Sequence, residues 1–563
     1  PPFATGANFS FQADVGESTF EKEPSIIEQK AYRDTWGRGL DSYFQWFSEA
    51  VLVLHELLSE SGSLYVHCDW RVNAGIRQIL DEVLSPSNFV NEIVWKKIRV
   101  VKAQSRGYGN VHDVIFKYAK NADFKFNQQR IVQDPQYEKK FDKVEPGTGR
   151  RYQLVSLLQA GGGPTRRFGD KVLDPGPGRH WIWSQERIDQ AMQLGLIEFT
   201  SGGMPRKKQY LDESEGRLVD DLWTDIYPVN SQALEDTGYA TQKPEALLER
   251  IIRASSDEND LVLDCFCGSG TTPAIAEKLG RRWIACDLGR FAIHTTRKRL
   301  LGIEGVRPFV VQNLGKYERQ VWQKAEFGER AEATVRAYRR FILDLYHAEP
   351  VEGYAWLHGK KGGRMVHVGT VDTPVALGDV KQIAIEFRRA IGTGKGAPQL
   401  AGVDVLGWDF ALDMNETAKQ IAQEAGLDVR FVRIPREVLE KKAVEQGDIR
   451  FFELAALSVD VQVKGRELAV TLTDFMVPPD DVPEDVIKAV KHWSEWIDYW
   501  AVDFNYRDDT FHNEWQSYRT RKDRGLTLSV RNKYEQPGTY TALVKVIDIL
   551  GNDTTKGITV EVH

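Results

Sequence analysis

Asp260-Leu261-Val262-Leu263-Asp264-Cys265-Phe266-Cys267-Gly268-Ser269-Gly270-Thr271-Thr272 is the stretch that decides the fold of this chain. It opens as a short apolar run ending on an acid, the pattern of a buried strand. Two glycines one residue apart then let the backbone turn sharply and come close to a ligand. A helix is expected from about Thr272 to Leu279, with its positive end facing the loop. Arg282-Trp283-Ile284-Ala285-Cys286-Asp287 reads as the next strand, and a helix around 291–301 closes the unit. Asp287 stands roughly 20 residues beyond the loop, where a carboxylate can accept both hydrogen bonds of a ribose. A lone G-x-G also fits a plain βα turn. The order strand, loop, helix, strand, acid is what points to an adenosine-bearing ligand.

The loop lacks the third glycine of the dinucleotide fingerprint and the Gly-Lys-Ser/Thr of a P-loop. Phe266, an aromatic inside it, suits S-adenosylmethionine, which has no phosphate to cradle. Upstream, Thr241-Gln242-Lys243-Pro244-Glu245 starts a helix through about Ala254, Pro244 fitting its first turn.

Farther out, 41–60 has apolar positions at helical spacing behind Asp41, Gly62 stops that helix, and Ser63 to Cys68 reads as a strand. A helix over 71–84 and strands at Asn91–Trp95 and His112–Tyr118 follow. The alternation of strands and helices predicts a parallel α/β sheet. From about 121 to 230 the texture is polar and Gly/Pro-rich, with Gly161-Gly162-Gly163-Pro164 and Asp174-Pro175-Gly176-Pro177-Gly178, and an inserted module with long loops is expected.

Tyr239-Ala240-Thr241-Gln242-Lys243-Pro244-Glu245, followed by Leu263 to Thr272, closely resembles the β-class site-specific DNA amino-methyltransferases. Those enzymes place a D-P-P-Y/F motif first, a target-recognition region next and F-x-G-x-G last. Here the order is Pro1-Pro2-Phe3, then 121–230, then Phe266-Cys267-Gly268-Ser269-Gly270. The likeness covers roughly 1–315 and is similar to the modification subunits of type III restriction systems and their stand-alone relatives. It implies a Rossmann-like methyltransferase sheet with circularly permuted motif order. It also implies an Asp just before Pro1, with a strand leading into it; the given sequence starts after that point.

By this resemblance Pro1, Pro2 and Phe3 are the catalytic positions. The missing Asp and a carbonyl of the Pro-Pro segment would accept hydrogen bonds from the amine, and Phe3 would stack on a base flipped out of the duplex. Lys243, Pro244, Asp264, Phe266, Gly268, Ser269, Gly270, Thr271 and Asp287 are the cofactor-binding positions. The implied reaction is methyl transfer to adenine N6, with cytosine N4 as the other target. The rival readings are a catalytically silent DNA-binding specificity subunit, favoured by the absent Asp, and an RNA or protein amino-methyltransferase. Double-stranded DNA is the expected partner, with a restriction subunit or self-association beside it.

At 563 residues two to four domains are expected, and 42% hydrophobic with 28% charged residues is an ordinary soluble composition. No membrane span or signal pattern is read, and four cysteines make no disulfide framework, so the cytoplasm is the expected compartment. Cys265 and Cys267 are too close for C-x-x-C chemistry, and no metal is expected. A net charge of −7 does not mark a nucleic-acid binder. Basic clusters nevertheless gather before residue 210: Lys96-Lys97 with Arg99 and Lys102, Arg150-Arg151, Arg166-Arg167 and Arg206-Lys207-Lys208. They suggest a DNA-facing surface.

The expected organisation is a catalytic half over 1–120, a recognition insertion over 121–230 and a cofactor half over 231–315. A helical linker at 316–350, a second α/β domain at 351–480 and a C-terminal β-sandwich at 481–563 follow, the last resembling a PKD-like module. Asp404, Asp409, Glu437 and Glu453 lack the tight acidic-acidic-lysine spacing of a nuclease.

Overall fold

Tyr43, Phe47 and Val51 recur every four residues on helix α1 (Leu40–Leu57), as Ile76, Leu80 and Leu84 do on α2 (Asn73–Leu84). Both stripes close over one face of a sheet and are buried with Val66, Cys68, Val114, Phe116 and Tyr118. The computed structural model describes residues 11–15, 18–22, 40–98, 108–132, 135–213, 216–230, 233–239, 241–328, 331–391, 402–411, 426–447, 449–477, 484–507, 510–520, 523–549 and 551–563.

That sheet contains β1 (Ser63–Cys68), β2 (Phe89–Lys96), β3 (His112–Ala119) and the short β4 (Leu222–Trp223), in the order β4-β2-β3-β1. Strand β3 is antiparallel to both β1 and β2, and β4 is parallel to β2. The α/β sheet expected to be parallel is mixed here. The cause of the misreading is burial: β3 is covered on both faces, so Val114-Ile115-Phe116 makes the unbroken apolar run that a parallel strand also makes. The second face carries Ile93, Trp95, Ile115 and Trp223 against Leu247 of α3 (Glu245–Ser255).

The parallel pair β5 (Leu261–Asp264) and β6 (Arg282–Ala285) is joined by α4 (Thr271–Lys278), and α5 (Arg290–Leu301) follows. Ile252 of α3 and Ile275 of α4 bury one face of this pair through Val262 and Trp283. The chain around residue 125 staples the two sheets together: Lys125 Nζ reaches Asp260 Oδ2 at 2.6 Å and Asn127 N donates to Ala254 O at 2.7 Å. Tyr65 of β1 and Ser255 of α3 share a hydroxyl–hydroxyl bond of 2.7 Å.

The insertion is not loop alone. Lys143–Val144, Arg151–Ser156, Pro205–Tyr210 and Ile197–Phe199 form a four-stranded antiparallel sheet, with helix Gln185–Gln193 on a core of Leu157, Phe168, Trp181, Ile188 and Ala191. Arg151-Tyr152-Gln153 and Arg206-Lys207-Lys208 are too polar for the period-2 signal to show in sequence.

A second α/β unit holds a six-stranded sheet: β7 (Glu349–Pro350), β8 (Gly359–Lys361), β9 (Arg364–Val368), β10 (Gly402–Gly407), β11 (Val429–Arg433) and β12 (Phe452–Glu453), ordered as in the chain. Its middle three strands are parallel and its edges antiparallel. The segment expected as a linker forms α6 (Gly315–Phe327) and α7 (Ala331–Leu345). These pack as a layer on one face of that sheet, because Trp322, Phe327, Tyr338 and Ile342 are buried or half-buried against Val366, Leu406 and Trp408. Helix α8 (Leu377–Ile391) covers the other face. The sequence also suggests a helix near 414–425, which lies outside the described residues.

The C-terminal β layers begin at Ala456, ahead of the boundary expected at 481. Strands β13 (Ala456–Lys464), β14 (Glu467–Met476) and β17 (Ser529–Lys533) make one sheet. Strands β16 (Trp515–Tyr518), β15 (Ile497–Asp503), β18 (Gly538–Asp548) and β19 (Asp553–Val562) make the other. Both sheets share a core of Leu468, Val470, Trp500, Val502, Val544 and Val560, a two-layer sandwich.

Candidate cofactor and base-binding site

The glycine loop is built by backbone conformation that only glycine takes cheaply. Gly268 and Gly270 have φ of 50° and 72°. A Cβ on Gly270 would lie 2.6 Å from Thr296 Oγ1, so α5 packs directly on the loop. Thr296 Oγ1 donates to Gly268 O at 3.0 Å. The strand pairing runs on into the loop, with Cys286 N donating to Asp264 O and Cys267 N to Cys286 O.

Asp264 and Asp287 both act on this loop. Asp264 Oδ1 accepts Phe266 N at 3.0 Å, and its Oδ2 accepts the Thr272 hydroxyl at the start of α4 at 2.5 Å. Asp287 Oδ2 accepts Gly268 N and its Oδ1 accepts Gly289 N, each at 2.9 Å. Burial pushes the Asp287 carboxyl above its usual range, against the pull of these backbone amides. The two carboxylates thus fix loop and turn at the ends of β5 and β6, the ends at which α/β sheets bind ligands.

The remaining cofactor candidates divide into two groups. Phe266 is partly exposed, 5.5 Å by ring centroid from Trp46 of α1. Ser269 and Thr271 are buried behind the loop, where Thr271 Oγ1 donates to Lys243 O at 3.0 Å. Arg299 of α5 donates to Thr271 Oγ1 at 2.9 Å and to Glu245 Oε1 at 2.8 Å, tying α5, loop and α3 into one block. Pro244 is buried and serves as the N-cap of α3, with φ of −65°. Pro1, Pro2 and Phe3 lie outside the described residues.

Lys243 links this block to β1 and β3. Burial lowers its pKa to about 8, and Asp113, Lys97 and Asp264 all lie within its electrostatic reach. Asp113 is buried on β3, with Lys97 Nζ at 2.6 Å and His67 Nε2 at 3.0 Å. Burial opposes the charge on Asp113, yet the bonds from His67 and Lys97 hold its carboxyl below the usual range. Burial brings His67 down to about 4, so it is neutral at pH 7. The His67–Asp113–Lys97 group was not legible in sequence, since the pairing of β3 with both β1 and β2 joins it; the Lys97 ammonium is engaged by Asp113. Trp46 and Arg299 were likewise missed.

Among the other basic clusters, Arg150 is paired with Asp212 and Glu213, and Lys208 with Glu145. Arg166, Arg206 and Lys207 carry no ion pair among the described residues. All four cysteines are free, and no group of three metal-ligating side chains occurs among the described residues. No described helix is long and apolar enough to cross a membrane.

Comparison with known proteins agrees with this geometry. The Type II methyltransferase M.EcaI of Enterobacter cloacae is 28% identical over 319 residues, 56% of this chain and 67% of its own length. The StyLTI Mod subunit, a Type III restriction-modification enzyme of Salmonella typhimurium, is 24% identical over 329 residues, 54% of this chain and 50% of its own. The DNA adenine methyltransferase YhdJ of Escherichia coli is 25% identical over 263 residues, 46% of this chain and 67% of its own. The chain thus spans from about half to two thirds of the length of these curated relatives. The N6/N4 methyltransferase family, described as DNA methylase, matches residues 1–298, more than half of the sequence, and the chain belongs to that family.

Proposed function

We propose that this chain transfers a methyl group from S-adenosylmethionine to the N6 amine of an adenine flipped out of duplex DNA. The observation that carries the reading is the Gly268–Asp287 arrangement, a left-handed glycine loop clamped to the acid at the end of the next strand. Membership of the DNA methylase family and the adenine-specific name of one relative support the substrate.

The donor set suits the cofactor. Asp287 offers carboxylate oxygens to ribose hydroxyls, the half-exposed Phe266 offers a ring face, and the N-terminus of α4 points at the loop. When bound, S-adenosylmethionine supplies a methyl already activated on a sulfonium. What the chain adds is positioning: Asp264, Thr296 and Arg299 hold the loop, and Pro1, Pro2 and Phe3 are assigned to the base on the strength of motif order. A well-oriented pair of reactants accounts for several kcal/mol of barrier, about 7–11 in favourable cases. Lys243, kept near a pKa of about 8 by burial, lies within electrostatic reach of the loop acid Asp264 and contributes positive potential there.

A restriction-modification setting, with a restriction subunit as partner, goes with the Mod-subunit relative. A cytoplasmic location goes with a DNA substrate and four free cysteines.

The test is incubation with radiolabelled S-adenosylmethionine and unmethylated genomic DNA, followed by nucleoside analysis. The same assay is run with an extension that restores an Asp before Pro1. N6-methyladenine in either digest supports the reading; N4-methylcytosine moves the target. DNA binding without methylation by both chains overturns catalysis in favour of a silent specificity subunit, and label on RNA or protein alone removes DNA as substrate.

A further inference from the structure

Helix α5 is where the cofactor half, the second α/β unit and the sandwich meet. Some of the charges at this junction are matched. Asp498 of β15 lies 2.6 Å from His294 Nε2 and 2.8 Å from Lys298 Nζ. Arg436, just beyond β11, places two guanidinium nitrogens on Glu318 at 2.8 Å each and a third on Leu288 O at 3.3 Å.

Others are not. Arg290 and Arg297 of α5, Arg433 of β11 and Lys545 of β18 gather within mutual electrostatic reach of one carboxylate, Asp553. The nearest approach is Arg433 NH1 to Asp553 Oδ1, 3.7 Å, longer than a hydrogen bond. The Nε of Arg433 is buried with no hydrogen-bond partner, and neither Arg290 nor Arg297 is ion-paired among the described residues. Glu437 and Arg436, which also face Arg290, offset each other. Among the described residues, four cations against one carboxylate leave an excess of three positive charges.

Like charges gathered this closely repel one another, and an anion that reaches them relieves the repulsion. The place is open to water: Arg290 and Asp553 are exposed, while Arg297, Arg433 and Lys545 are half-buried. Guanidinium forks suit phosphate oxygens in geometry as well as charge. A phosphate can answer several cations at once, where a carboxylate answers one or two.

We propose that this cleft binds phosphate, either along the backbone of the DNA duplex or as a free polyphosphate. Arg290 stands three residues after Asp287, and Arg436 holds the Leu288 carbonyl between them, so the cleft borders the acid turn of the cofactor half. The duplex source deepens the methyltransferase reading by giving the C-terminal half a DNA contact; the phosphate chemistry stands without that reading.

The experiment uses the full chain and pyrophosphate as the probe, with sodium chloride at matched ionic strength as control. Pyrophosphate is expected to raise the wild-type melting temperature by several degrees, and Arg297→Gln with Lys545→Gln to abolish that shift. Asp553→Asn, which removes the competing carboxylate, is expected to tighten pyrophosphate binding at least threefold, a gain that misfolding cannot produce. In the DNA arm, a tenfold weaker affinity of the double variant and a salt slope shallower by about two identify the backbone as the source. Unchanged DNA affinity identifies a free polyphosphate. No pyrophosphate response in the wild type together with unchanged DNA affinity in the double variant overturns the cleft. A chain that methylates DNA yet fails both arms refutes the cleft alone, and one that binds pyrophosphate without methylating refutes the activity alone.

Discussion

Asp287 Oδ2 and the amide of Gly268 meet at 2.9 Å, across the gap between the end of β6 and the glycine loop after β5. The bond makes one carboxylate serve two purposes, since its other oxygen caps the turn at Gly289 while the group remains at the sheet end where a ribose would lie. Burial works against that charge. Asp287→Asn therefore removes an unfavourable buried charge and one good acceptor together. Melting temperature is expected to change by only a few degrees, while calorimetry should show S-adenosylmethionine affinity falling at least tenfold, about 1.4 kcal/mol. Equal affinity in both proteins would remove Asp287 from the ribose.

Gly270→Ala should act through α5. The new methyl would need to sit 2.6 Å from Thr296 Oγ1 at a φ of 72°. A destabilisation of about 1–3 kcal/mol is expected by denaturant titration. Adding Thr296→Ala should recover part of it, because the contacts with Oγ1 and Cγ2 are removed while the 2.9 Å contact with Cβ and the backbone strain remain. No recovery would mean that the two residues do not press on one another.

Lys117 offers a pH test. Its side chain is buried among Tyr65, Phe124 and Phe126, its ammonium has no hydrogen-bond partner, and burial lowers its pKa to about 8. Between that value and the unfolded value near 10.4 the unfolded chain binds more protons, so stability should rise with pH through this window. The gain is at most about 3 kcal/mol. Lys117→Met should flatten the rise and be more stable than wild type at pH 7; a slope unchanged by the substitution would assign it elsewhere.

Asp498→Ala leaves His294 and Lys298 facing the sandwich without their acceptor. Breaking a largely buried pair of this kind costs about 3–5 kcal/mol. The Asp498 carboxyl is held below its usual range: burial opposes the charge, and Lys298 and His294 more than offset it. This contribution is present above the unfolded carboxylate pKa and is lost progressively as pH falls from there through the lower folded-state value. Thermal unfolding should therefore separate wild type from variant at pH 7, with a gap that narrows but does not close by pH 3.

How much of the site could be read beforehand depends on distance along the chain. Asp264, Gly268, Gly270 and Asp287 fall in a single strand-loop-helix-strand run, where residue type and spacing state the geometry almost directly. His67, Lys97 and Asp113 carry no such signal, because their contact exists only once β3 pairs with β1 on one side, Cys68 opposite Val114, and with β2 on the other, Trp95 opposite Asp113. Ser269 and Thr271 show the reverse: they occupy motif positions, yet the Thr271 hydroxyl is held inside by Arg299 and the Lys243 carbonyl, and the Ser269 hydroxyl by Thr271. Ala456 to Lys464 was read into the wrong unit, since its sheet is completed by Ser529–Lys533 far along the chain.

The sequence by itself determined the strand-loop-helix-strand unit and the acids that end its two strands, because glycine at a left-handed turn and an acid at a strand end are local requirements. Only the tertiary structure decided that α5 is clamped on one side by the loop and on the other by Asp498. It alone gathered Arg290, Arg297, Arg433 and Lys545 from three separate elements around Asp553. Charge at a junction is set by which surfaces pack together, and no local pattern of residues encodes that choice.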